Sequence, residues 1–202
     1  MPRYSDLRDH NQEVLRRSVV AAAEELLLHH GAEAVTVRRV AQQLDCSTTV
    51  IYNLFGSKDG LANALYLEGC HRMQAALAAV VPSSDPRRTV EQLAWAYWEF
   101  AHNNPAYYTL MFSGAIPEFK PDPTSMHDLQ TAIGLSVAIL ETYRQQGVLA
   151  IDDSVQVAMM IWTALHGVVQ LFFAGHLGDA VAARALYARS ITMVLHYLFP
   201  AI

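Results

Sequence analysis

Thr48, Thr49, Tyr52 and Asn53 place three hydroxyls and an amide along one face of a short helical segment, opposite Val50, Ile51, Leu54 and Phe55. These are hydrogen-bonding groups, not nucleophiles. Threonine methyls suit thymine methyls, and threonine hydroxyls suit bases or phosphate. The Asn53 amide can read an adenine edge or bond a phosphate, and the Tyr52 phenol suits a phosphate. Thr36, Arg38 and Lys58 flank the face. Thr36 caps the preceding helix and could also touch a nucleic-acid backbone, and Arg38 could meet a phosphate or a base. Lys58 opens the following helix, whose free N–H groups could share a phosphate with its ammonium. A solvated helix face or an ordinary surface lysine would use the same residue types, so composition alone leaves both readings open. Arg3 and Arg8 either reach a groove or lie on a disordered terminus.

A second group is aromatic. Trp95, Trp98, His102, Tyr107, Tyr108, Met111, Phe112, Trp162 and His166 would give a small-molecule site apolar walls with a few polar tips. Asn103 could add polarity. Such a lining suits a hydrophobic, flat or elongated ligand better than a charged one. The same stripe at helical spacing would also serve as plain core.

Other chemistries find little support. The nine histidines form no His-x-x-x-His or His-x-x-Cys pair, and the two cysteines no Cys-x-x-Cys, so neither a metal site nor a cofactor is expected. There is no Gly-rich phosphate loop, no Gly-x-Ser-x-Gly elbow and no recognisable carboxylate pair, so no enzyme is expected. Cys46 and Cys70 read as reduced, packed thiols.

The elements that must position these groups are helical. The periodicity predicts nine helices and no strand: an all-α fold. The first covers 12–30, ended by Gly31. Two short helices follow, with Val37, Val40, Ala41 and Leu44 on one apolar face and the segment from Thr48 carrying the other. Asp45-Cys46-Ser47 turns between them, Ser47 is placed as an N-cap, and Ala41 is small where the helices cross. This is the spacing of a helix-turn-helix, whose second helix enters a DNA major groove. Longer helices are expected over 57–81, 86–103, 105–113, 125–146, 153–174 and 180–199, the Asp85-Pro86 and Asn104-Pro105 pairs marking two of the starts. Residues 114–124 form the longest irregular segment. The domains are expected at 1–58, a three-helix DNA reader, and 59–202, a helical ligand-binding and dimerisation domain.

Composition bounds the rest. Hydrophobic residues make up 52% of the 202 and charged ones 16%, which suits an extensive subunit interface. The net charge of −5 argues against indiscriminate nucleic-acid binding. Residues 1–60 hold seven Lys/Arg against eight Asp/Glu, so DNA binding would use a small basic footprint and depend strongly on salt. No apolar run reaches about 18 residues, and Met1 to Asp6 holds no apolar signal core. No membrane association and a cytoplasmic location are expected. Helices eight and nine are too apolar for one core face, which predicts a homodimer joined by a four-helix bundle.

With these residues in place, Ile51-Tyr52-Asn53-Leu54-Phe55-Gly56-Ser57-Lys58-Asp59-Gly60-Leu61, following the helix-turn-helix, resembles the TetR family of transcriptional regulators over roughly residues 12–65. Trp162-Thr163-Ala164-Leu165-His166-Gly167 and Asn104 to Phe112 are similar to the WHG-type effector domain of that family. The resemblance implies an all-helical homodimer that binds double-stranded DNA at a pseudo-palindromic operator. It also implies a variable C-terminal domain that takes a small-molecule effector, typically releasing a repressor. Two positions depart from the pattern. Asp45 stands where the family commonly has Gly in the turn, a position that needs positive φ. Leu54 stands where the family often has His, and cannot bond a phosphate. These departures and the weakly acidic N-terminal region leave an alternative: a helical small-molecule-binding or interaction protein without specific DNA binding.

Overall fold

The computed structural model describes residues 4–116 and 118–200; Arg3 lies outside them. Among the described residues there are nine α-helices, one 3₁₀ turn (Ala32–Ala34) and no strand. The helices are α1 (Tyr4–His30), α2 (Val37–Gln43), α3 (Thr48–Phe55), α4 (Lys58–Ala78), α5 (Pro86–Asn103), α6 (Pro105–Phe112), α7 (Pro123–Gln145), α8 (Ser154–Phe173) and α9 (Ala180–Leu198). Side-chain caps set most of the starts. Thr36 Oγ1 accepts from the Arg39 N–H at 3.3 Å. Asp85 accepts from Arg87 N–H, Asp153 from Val155 and Gln156, and Asp179 from Ala182. Gly31 and Gly147 follow helix ends at φ 79° and 72°.

Two starts and one cap differ from the sequence reading. α1 begins at Tyr4, so Arg8 lies on a helix and not on a frayed arm. α7 begins at Pro123, behind an Asp122 carboxylate that accepts from Ser125 N–H at 2.8 Å. Ser47 holds the N-cap position of α3, but its hydroxyl caps nothing; its carbonyl accepts from Val50 N–H at 3.1 Å.

The chain divides into two compact units. The first comprises the residues up to Gly69 together with Pro105–Met126. Its core joins Val19, Ala23 and Leu27 of α1, Val40 of α2, Ile51 of α3 and Leu61 and Leu65 of α4 to Tyr107, Leu110 and Ile116. Asn63 Oδ1 accepts from Asp122 N–H and Ser125 Oγ, both at 3.0 Å, tying the start of α7 to α4. The unit therefore does not follow a cut after residue 58. Its apolar surface is completed by α6 and by the chain behind it, a long-range pairing that periodicity does not reveal.

The second unit holds Cys70–Asn104 and the chain from His127 onward. Val90, Leu140, Tyr143, Leu149, Val157, Ala158, Val194 and Leu198 form its core. Trp98 packs between Tyr187 and Phe172, at ring separations of 4.8 and 5.9 Å. The Tyr187 hydroxyl donates to the Ala94 carbonyl at 2.7 Å. The loop before α5 is pinned by Tyr143, whose hydroxyl donates to the Ser83 carbonyl at 3.0 Å and lies 2.9 Å from Thr89 Oγ1. At the α7–α8 connection, hydrogen bonds from Arg144, then Ser154 and Gln145, draw the Glu141 carboxyl down to about 2. Burial, with Asp128 adding to it, pushes the Cys70 thiol up to about 12.

Helix α8 corrects one sequence expectation. Its most apolar 18-residue window has a mean hydropathy of 1.5, so by length and composition it could cross a membrane. Gln156, Thr163, His166 and Gln170 interrupt the run and hide it from a count of consecutive apolar residues. A buried helix of a soluble protein passes the same test, but only 28% of this window is buried. Val157, Leu165 and Val169 face the core, while Val155, Met159, Met160 and Leu171 are exposed.

Candidate nucleic-acid interface and ligand cavity

The reader is built on α1, α2 and α3. Val40, Ala41 and Ile51 are buried at the α2–α3 crossing. Asp45 takes φ 50° in the turn, the left-handed geometry that the TetR resemblance implied. Cys46 N–H closes the turn on the Ala41 carbonyl at 3.0 Å. With Ile51 and Phe55 buried, α3 is held by one face, and Thr48, Thr49, Tyr52 and Asn53 are all exposed on the other. Thr36, Arg38 and Lys58 are exposed as well. Leu54 is half-buried against the core of the unit, a packing role in place of the phosphate contact that a histidine would offer.

Two residues that the sequence reading did not single out hold α3 at its C-terminal end. Arg16 Nη1 donates to the Leu54 carbonyl at 2.8 Å, with its guanidinium 4.3 Å above the Phe55 ring centroid. A cation there satisfies a terminal carbonyl and opposes the negative end of the helix dipole. Gly56 then turns the chain at φ 73°, and the Ser57 hydroxyl accepts from Gly60 N–H at 3.0 Å. Gly60 sits so close to α3 that a Cβ there would lie 1.9 Å from the Phe55 carbonyl oxygen.

The second unit contains a cavity of about 60 Å³ between the end of α4, α5, α7 and α8. Met73, Leu77, Leu93, Leu140, Ile161 and Leu165 give it apolar walls, and Tyr97, Ser136 and Trp162 are the lining residues that carry a polar side-chain atom. The Tyr97 hydroxyl and His166 Nδ1 are 2.8 Å apart, and His166 stacks on Trp162 at 4.8 Å. Burial holds the His166 imidazole below its usual range.

A family profile described as "Bacterial regulatory proteins, tetR family" matches residues 19–65. A second, described as "Tetracyclin repressor-like, C-terminal domain", matches residues 90–194, half of the chain. The chain belongs to the TetR family of transcriptional regulators. An uncharacterized HTH-type transcriptional regulator of Mycobacterium tuberculosis is 26% identical over 164 residues, covering 81% of this chain and 72% of its own. A solved structure of a Rhodococcus protein of unknown function is 25% identical with a TM-score of 0.77, covering 91% of this chain and 95% of that one. FadR of Bacillus subtilis, solved in complex with stearoyl-CoA, is 12% identical with a TM-score of 0.68 and shares the fold over 89% of this chain and 97% of its own.

In this TetR-family regulator the nine aromatic and polar candidates do not converge. Trp162 lines the cavity, and His166 bonds the Tyr97 that lines it. Trp98 and His102 border a separate groove with Glu99 and Arg184, and Trp95 lies under the Arg184 guanidinium at 4.5 Å. Tyr107, Tyr108, Met111 and Phe112 belong to the first unit, where the tyrosines and Met111 are buried core. Tyr97 is the residue the sequence reading missed. It sits between two tryptophans, on a face whose partners only the packing of α5 defines. Among the described residues no three His, Cys, Asp or Glu side chains group as metal ligands.

Proposed function

We propose that this regulator is a homodimeric repressor that binds a pseudo-palindromic operator and is released by a small hydrophobic effector. The observation that carries it is the exposed polar face of α3, held from behind by Ile51 and Phe55 and from its end by Arg16. In this reading Thr48, Thr49, Tyr52 and Asn53 meet base edges and phosphates, while Thr36, Arg38 and Lys58 bond the backbone. The effector occupies the second unit's cavity. At about 60 Å³ the cavity is far smaller than the roughly 300 Å³ or more of ordinary ligand sites, so binding must displace its walls. Met73 and Leu77 of α4 are among them, and Lys58 opens the same helix. The shift follows from different affinities for the DNA-competent and released states.

Exposed apolar stripes support dimerisation through α8 and α9. Met160, Gly167 and Leu171 on α8, and Leu186, Met193 and Tyr197 on α9, each recur at intervals of seven and four. Apart from Gly167, all of these are exposed apolar side chains. Gly167 faces open space within one chain, and a mid-helix glycine without a neighbour suits close approach of a second copy. The protein works in the cytoplasm as a binding protein, without catalysis and without a membrane.

The test is selection from a random duplex pool at near-physiological salt. A recovered palindrome with half-sites about one helical turn apart supports the proposal. A folded dimer that recovers no consensus refutes it.

A further inference from the structure

The occupant of the α4–α5–α7–α8 cavity can be narrowed by the chemistry of its walls, on the reading that this cavity is the effector site. No Lys, Arg, Asp or Glu lines it. A carboxylate or phosphate placed inside would leave water without a counter-charge, at a cost that apolar contact does not offset. His166 does not supply that charge near neutral pH, because burial favours its neutral form. The lining residues that carry a polar side-chain atom are Tyr97, Ser136 and Trp162. Tyr97 is 4% exposed and its hydroxyl is fixed by His166 at 2.8 Å. A phenol donates one hydrogen bond and accepts two, so this bond does not exhaust its capacity. The cavity also has to open. An apolar cavity of about 150 Å³ admits benzene, and this one is smaller, so even a single ring presses on the half-buried side of the wall, Ile133, Ser136, Ile161 and Trp162.

We infer that the effector is an uncharged, largely apolar molecule whose single hydrogen-bonding group meets the Tyr97 hydroxyl.

The test is titration of the purified full chain with toluene, p-cresol and p-toluate, which share a ring and a methyl and differ in polar group. The expected result is p-cresol binding about threefold to tenfold tighter than toluene, the range of one neutral hydrogen bond, with no p-toluate binding. Tyr97→Phe should lower p-cresol to the level of toluene and leave toluene unchanged, which also shows the variant is folded. Leu165→Phe, which fills the cavity, should weaken both. Binding of p-toluate as tight as p-cresol, or a p-cresol advantage that survives Tyr97→Phe, overturns the inference. If Leu165→Phe still weakens binding in that case, the cavity remains the ligand site. Binding indifferent to Leu165→Phe, or no binding by any probe, overturns the inference and the cavity reading together.

Discussion

Replacing Gly60 by alanine sets two physical effects against each other. Helix propensity alone favours the change: a helix-interior glycine is about 0.5–1 kcal/mol less stable than alanine, an upper bound for Gly60 in the first turn of α4. The structure opposes it. The new Cβ would lie 1.9 Å from the Phe55 carbonyl oxygen, and Cβ contacts below 3.0 Å essentially do not occur. The α3–α4 junction must therefore open by about 1 Å, the difference between those distances. The atom in the way is backbone, so no rotamer change relieves it. Forced packing of this kind costs about 1–3 kcal/mol, which leaves a net loss of about 0–2.5 kcal/mol after the propensity gain. For a chain of this size each 1 kcal/mol of that loss lowers the melting midpoint by about 2–4 °C. The same displacement would move Tyr52 and Asn53 off the DNA contacts proposed for them, so operator affinity should fall about tenfold or more, the scale of one or two lost contacts. Gly134→Ala is the control. Gly134 lies within α7, and a Cβ added there would meet nothing within 4 Å, so its replacement should raise the midpoint by a degree or more. Calorimetry on both variants at one protein concentration decides the matter. If both substitutions raise the midpoint, the close approach at Gly60 is not a constraint and the reasoning fails.

Thr49→Ala combined with Tyr52→Ala should abolish operator footprints while leaving the oligomer intact; unchanged footprints would remove these residues from the interface. Met160→Asp with Met193→Asp should convert the dimer to monomer in sedimentation at micromolar concentration, because each charge would be buried without a partner; a persistent dimer places the interface elsewhere. Glu141, with a folded pKa of about 2 against an ordinary 4.5, contributes stability that is fully present above about pH 4.5 and lost as pH falls toward 2. The melting-point advantage of the parent over Glu141→Gln should therefore shrink steadily from pH 5 to pH 3, and a constant gap contradicts the bonding seen. Cys70, buried and with its thiol pushed up to about 12, should resist iodoacetamide at pH 8 in the native protein while half-buried Cys46 is alkylated; equal labelling would show that the second unit opens readily.

The reader was legible because its signals are local. Apolar spacing, Thr36 as a cap and a three-residue turn place α2 and α3 to within a residue, and the family pattern anticipated the left-handed Asp45. The longer helices were legible from the Asp85-Pro86 and Asn104-Pro105 pairs and from terminal glycines. The first turns of α1 were not. Asp6, Arg8, Asp9 and His10 give that stretch no apolar face to follow. The cavity was legible in character but hardly in membership. Aromatic content announces a hydrophobic site, but whether Trp98, Tyr97 or Tyr108 lines it depends on which helices pack together. Arg16 and Gly60 act through contacts with Leu54 and Phe55, and only the first spans a long stretch of sequence. Gly60 was quoted within the family pattern, yet spacing gives no sign that its missing Cβ is what lets α4 start so close to α3.

The core of the first unit has a consequence for how the protein is made. Tyr107, Leu110 and Ile116 are fully or nearly buried alongside α1–α4, yet they are encoded well behind them. A ribosome that has released the three reader helices has released an incomplete fold, with apolar surface still waiting for α6. At about 5–20 residues per second, the stretch between Gly69 and Met126 takes roughly 3–11 s to emerge. Through that interval the nascent reader is an object for chaperones rather than for DNA. An N-terminal fragment cut after α4 would inherit the same exposed surface permanently.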